Sequence, residues 1–205
     1  MLNFGYIKTE FDGTEYLFEG MGTENIPDEY SYVKSLPEVM DQGNLPICAP
    51  CTMATYLNWK EGVNSGIIKD CGIKVFDIYN SKSTTGDGMT FKDAFHYLRH
   101  HGVRSDNGKL KIGTYAYMRN SEDLKYAIFN NGPCFGALPV YEVENPEFWK
   151  EYGRFNGGHA ISIVGYNKDG FIIRNSWGTN WGYDGYTLIK NEDFSSFWEL
   201  WTVVS

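Results

Sequence analysis

An α+β domain is what this sequence predicts, and three observations predict it. Helix signals come first along the chain, strand signals follow them, and no repeat or low-complexity segment breaks that order. With 205 residues, 42% of them hydrophobic, the length suits a single domain with a sizeable core. Aromatic residues make up 17%, which fits large buried rings and an aromatic-lined cleft.

Residues 4–19 alternate around Asp12-Gly13, a dipeptide suited to a tight turn, so a hairpin of two short strands is expected. Residues 20–37, with Pro27 and Pro37, read as an irregular lead-in. A first helix opens near Cys48 and runs to about Glu61, with Gly62 as its stop. Pro50 falls in its first turn, where a missing N–H costs little. Residues 64–87 are rich in Gly and Ser and read as loop. Thr90 and Asp93 form the ends of a capping box for a second helix. Its buried face is Phe91, Ala94, Phe95 and Leu98, and it ends at His100-His101-Gly102. Ser121 caps a third helix, which carries Leu124, Ala127 and Ile128 and stops at Gly132-Pro133. Strands are then expected at about 134–140, 159–166, 171–176, 185–190 and 197–203.

The net charge of −8 gives no basic footprint, which argues against a nucleic-acid partner. No apolar run is long enough for a bilayer, and residues 1–20 lack the basic start and apolar block of a signal peptide. Four cysteines, Cys48, Cys51, Cys71 and Cys134, are too few for a disulfide framework, so a reducing compartment is expected. Cys71 and Cys134 read as small buried thiols. Cys51 reads the same way, or as a resolving thiol for an oxidised Cys48. His96, His100 and His101 have no Cys, Asp or Glu spacing that completes a metal site, so neither metal nor cofactor is expected.

The chemistry concentrates in Asn156 to Gly185, NGGHAISIVGYNKDGFIIRNSWGTNWGYDG. His159 opens an apolar strand, and a second apolar strand ends in Asn175-Ser176-Trp177. A hydrogen bond between His159 and Asn175 would fix the imidazole tautomer, with Trp177 as a dry cover. Register opposes this. If Tyr166 pairs with Phe171, Asn175 falls opposite Ser162, on the other face from His159. A bulge or bend near the strand start, beside Gly158, is therefore required. Cys48 supplies a nucleophile: at a helix start the macrodipole favours thiolate, and a nearby imidazolium lets the pair rest as Cys⁻/His⁺.

Gln42, a cysteine six residues on that opens an apolar helix, then His and Asn-Ser-Trp-Gly downstream, together resemble the papain-like cysteine peptidases. The resemblance covers Pro27 to Ser205. It implies a two-lobed fold, an N-terminal helical lobe and a C-terminal antiparallel β-sheet or barrel lobe with the cleft between. It also implies a catalytic domain over 36–205, preceded by a 1–35 hairpin and lead-in that either adds strands or lies at the cleft and restrains activity. By the same resemblance Cys48, His159 and Asn175 act in catalysis. Gln42 and the Cys48 N–H serve the oxyanion, and Gly88, Met89, Gly158, Ala160 and Trp177 bind substrate. Cys48 rather than Cys51 has the family's spacing from Gln42. The implied activity is peptide-bond hydrolysis of a protein or peptide substrate, through a thioester, by a monomer. The alternatives are the same chemistry on cell-wall peptides or in acyl transfer, or an inactive binding module. The compact form resembles bacterial or viral members, and with a reducing compartment and no signal peptide the expected location is a cytoplasm or a virion or host-cell interior.

Overall fold

The computed structural model describes residues 5–20, 26–82 and 87–204. Parts of the expected 1–35 segment, residues 1–4 and 21–25, lie outside the described residues.

After a two-residue strand β1 (Tyr30–Ser31), the first helix α1 runs Cys48–Ser65, one turn longer than its glycine suggested. Gly62 lies inside the helix, and Gly66 ends it, with φ +70° and an N–H that bonds the Gly62 carbonyl. α1 is buried around almost its whole first half, which suits a helix at the centre of the molecule and not on its face. The loop-like stretch that follows holds a short helix, α2 (Val75–Tyr79). Then comes α3 (Phe91–His100), whose N-cap Thr90 accepts the Asp93 N–H.

Three short strands, β2 (Val103–Ser105), β3 (Gly108–Leu110) and β4 (Thr114–Met118), precede α4 (Ser121–Asn131). Their brevity hid them from pattern reading. Asn120, not Ser121, caps α4, its Oδ1 taking the Asp123 N–H at 2.8 Å. The remaining strands fall where the pattern placed them: β5 (Cys134–Val140), β6 (Gly157–Tyr166), β7 (Gly170–Arg174), β8 (Tyr186–Lys190) and β9 (Glu199–Val204).

The main sheet is antiparallel in the order β4-β9-β5-β6-β7-β8, with β1 also on β6. Both faces are buried, and the two-residue period of the strands divides them between two cores. Phe135, Ala137, Ala160, Trp201 and Val203 face a core shared with α1 and α3. Leu138, Val140, Ile161, Ile163, Ile173 and Leu200 face a second core with α4. Trp59 of α1 touches both. The helix-rich core and the sheet-rich core are the two lobes, and α1 carries Cys48 to the seam between them.

Residues 5–20 form no ladder with one another among the described residues. The Asp12-Gly13 turn is present, held by Thr14 N–H to Asp12 Oδ1 at 3.0 Å and Gly13 N–H to Glu15 Oε2 at 3.0 Å. Its two arms instead pair with the body, Tyr6 with both Met89 and Gly158, and Leu17 with Tyr117.

Candidate active site

Cys48 is the first residue of α1 and is fully buried. Its Sγ accepts the Ala160 N–H at 3.5 Å, which sets the thiol against the start of β6, next to His159 in sequence. His159, also fully buried, brings Nε2 to 2.7 Å from Asn175 Oδ1. Trp177 stacks on the imidazole at 4.5 Å with an angle of 25°, and Phe148 meets it edge-on at 5.8 Å. The histidine, its polar partner and an aromatic cover thus come together as the hairpin required.

The correction that permits this lies elsewhere than expected. β6 pairs with β5 in unbroken register from Gly157 to Ile163, so no bulge sits beside Gly158. The register with β7 shifts between Ile163 and Gly165. Val164 is the extra residue, and it and Ile163 consecutively enter the same core. Ser162 then pairs with Arg174, which carries Asn175 to the level of Ile161 and the face of His159.

Gln42 is buried and tied to the same turn. Its N–H bonds the Ser176 carbonyl at 2.8 Å, its Oε1 takes the Ser176 hydroxyl at 2.6 Å, and its Nε2 donates to the Leu45 carbonyl at 2.8 Å. Ser176, read in the sequence only as part of Asn175-Ser176-Trp177, was given no role there. It both fixes Gln42 and donates its own N–H to Asn175 Oδ1 at 2.8 Å.

The expected substrate-binding residues are engaged by the chain itself. Met89 N–H bonds the Gly5 carbonyl at 2.8 Å, Ile7 N–H bonds the Met89 carbonyl at 3.2 Å, and Tyr6 N–H reaches the Gly158 carbonyl at 3.4 Å. A Cβ on Gly88 would lie 2.7 Å from Ile7, and one on Gly5 (φ +80°) 2.3 Å from the Pro46 carbonyl carbon. Tyr6 inserts its ring against Phe91 at 4.8 Å. Burial, then the neighbouring Glu199 carboxylate, holds its phenol far above the ordinary range. Glu199 is itself buried and takes the Thr9 N–H at 2.6 Å and Trp201 Nε1 at 2.9 Å. A lone carboxylate in the apolar run Phe197 to Val203 was the signal that could have marked it. Trp177, grouped with the substrate-binding residues, serves here as the cover of His159.

This cover changes the electrostatics. Burial pushes the Cys48 thiol up to about 12, although the N–H groups of Ala160, Ala49 and Cys48 itself oppose the rise. Burial drives His159 down to about 4 against the pull of Asn175. Burial thus favours the neutral form of each group, and it acts against the helix dipole and the N–H donors that favour the expected ion pair.

Residues 72–197 match the papain family cysteine protease family, a stretch that includes His159 and Asn175 and begins after Cys48. Ananain of Ananas comosus is 31% identical over 150 residues, 68% of this chain and 39% of that protein. Macrodontain-1 of Ananas macrodontes is 30% identical over 120 residues, 53% of this chain and 55% of that protein. The chain therefore spans between 39% and 55% of these two relatives' length. Xylellain, a cysteine protease from Xylella fastidiosa, shares the fold with a TM-score of 0.83 at 19% identity, over 99% of this chain and 96% of that one.

Proposed function

Because the chain belongs to the papain family of cysteine proteases, we propose that it is a cysteine endopeptidase whose cleft is held closed by its own residues 5–9. The observation that carries this is one constellation: Cys48 Sγ takes the N–H next to His159, and His159 meets Asn175 at 2.7 Å. The closed state follows from Tyr6, which bridges Met89 on one wall and Gly158 on the other.

With the arm lifted, water returns to the seam and the thiol can pass its proton to His159. The helix N-terminus and the Ala160 N–H then favour the thiolate, and Asn175 holds the imidazolium in line. The thiolate attacks a peptide carbonyl. The Cys48 N–H and the Gln42 side-chain amide face the developing oxyanion. His159 protonates the leaving amine, and water, deprotonated by His159, clears the thioester. Substrates are proteins or peptides, and the four free thiols suit a reducing compartment.

Labelling with an epoxysuccinyl inhibitor and mapping the adduct by mass spectrometry tests the nucleophile. An adduct on Cys48 supports it; an adduct only on Cys51, or none, overturns it. The arm is tested by deleting residues 1–25 and by Gly5→Ala, which places a Cβ against Pro46 at a positive φ. At about 1 kcal/mol or more of strain, this change raises turnover of a soluble peptide several-fold. Unchanged turnover in both variants removes the arm from the account.

A further inference from the structure

Cys51 takes no part in the constellation, yet it stands one helical turn from the thiol that does. The stretch reads Cys48-Ala49-Pro50-Cys51 at the open end of α1, and both thiols are free and buried. We propose that Cys48 and Cys51 are a redox pair, in which Cys51 captures an oxidised Cys48 as a disulfide and so shuts the peptidase off reversibly. This rests on Cys48 being the reactive thiol.

Adjacency comes first. The charges that bear on Cys51 are those of Cys48 and Asp41. Those that bear on Cys71 are Glu61, Lys69, Asp70 and Asp106, and its Sγ is met by Asn107 at 3.6 Å. Cys134 lies in the other core, with its Sγ 3.6 Å from the Gly132 carbonyl. Cys51 is the thiol that neighbours Cys48.

Geometry comes second. Residues three apart on a helix have Cβ atoms roughly 5–6 Å apart, and a disulfide needs about 3.5–4.5 Å. The gap must close within the first turn, where helical hydrogen bonds are fewest. Here Pro50 has no N–H at all, and the Cys51 N–H bonds Ile47, outside the helix, at 3.0 Å. Cys48 and Ala49 are the first two residues of α1, so their N–H groups have no i→i−4 partner inside the helix.

The chemistry balances with a hydroperoxide as the oxidant. Once the arm is lifted, the Cys48 thiolate attacks the terminal peroxide oxygen; the S–O bond forms, the O–O bond breaks, and alkoxide leaves, or hydroxide when the oxidant is hydrogen peroxide. The Cys51 thiol then attacks the sulfenic sulfur; the S–S bond forms, the S–O bond breaks, and water leaves. A dithiol reverses the step by two exchanges and is itself oxidised. Without Cys51, continued peroxide carries Cys48 to the sulfinic acid, which a dithiol does not restore.

The experiment exposes the full chain and its Cys51→Ser variant to hydrogen peroxide, long enough to carry an unprotected sulfenic acid onward. Each is then digested without reductant for mass mapping, and a second portion is treated with dithiothreitol and assayed. In the wild-type chain a peptide holding Cys48 and Cys51 appears two hydrogens lighter, and dithiothreitol restores activity. In Cys51→Ser the same peptide gains oxygens, and activity stays lost. A wild-type peptide that gains oxygens without losing two hydrogens overturns the proposal, and this needs no variant to fold. The cross-link without any peptidase activity would sink the peptidase reading and leave the redox pair standing.

Discussion

Two stretches of chain meet over Cys48 and are held in opposite ways. The β6–β7 hairpin brings His159 and Asn175 from buried strands paired along their length, with one bulge at Val164. The arm, residues 5–18, brings Tyr6 by isolated bridges and by two ion pairs, Lys92 to Asp12 at 2.9 Å and to Glu15 at 2.6 Å. The hairpin cannot leave without unfolding the sheet, whereas the arm gives up a handful of bonds and the ring contacts of Tyr6, Phe11 and Phe18. In the proposed reading this difference separates machinery from cover: the residues proposed for the chemistry are woven in, and the arm proposed to restrain them is laid on.

The sharpest break in that contrast is at the hairpin. Asn175→Ala leaves the sheet intact but frees the imidazole, and misplacement of a reacting group costs about 10²-fold. A fall of that size in kcat with little change in KM is expected from steady-state kinetics. At the arm the sign reverses. Tyr6→Ala withdraws a buried ring worth about 1.5–3 kcal/mol, so kcat/KM toward a peptide should rise about tenfold. A fall instead would make Tyr6 part of the machinery.

Acid sharpens the same division. His159 is neutral in the closed form, its pKa lowered from 6.5 to about 4, so the open form takes up a proton first. The stability that this gives the closed arm is complete above pH 6.5 and is lost as pH falls towards about 4. Amide exchange at Tyr6, Ile7 and Met89 should quicken over that window while the β5–β6 amides stay protected. The smallest effect belongs to Lys92→Met. Partly exposed ion pairs contribute about 0.2–1 kcal/mol each, so turnover should rise two- to fivefold, and less in high salt.

The same contrast governs what the sequence disclosed. The hairpin is written in local pattern: two apolar runs, a short turn, and polar groups at both ends. α3 and β5 were equally plain, each carrying its own periodicity and stops. The arm pairs Tyr6 with Gly158 and Thr9 with Glu199, and no local alternation encodes partners that distant. Alternation in residues 4–19 was real, but it reflects strands laid against the body and not against each other. Gln42 was visible by its spacing from Cys48, while Ser176, which fixes it, was hidden inside the Asn-Ser-Trp run. The Cys⁻/His⁺ expectation considered the helix end and the imidazole, and the burial of both groups, which pushes the thiol up and the imidazole down, was not legible in local pattern.

Val164 has a consequence beyond β6. One surplus residue sets the phase of everything downstream in the hairpin, so side-chain orientation at Asn175 depends on a count made eleven positions earlier. Deleting Val164 would leave Asn175 opposite Ile161, whereas one further residue beside it, paired and not bulged out, would bring Asn175 opposite the wrong neighbour while keeping every apolar residue of β7 in place. In this protein an insertion or deletion can act as a frame error in space, misreading the site without touching any residue in it.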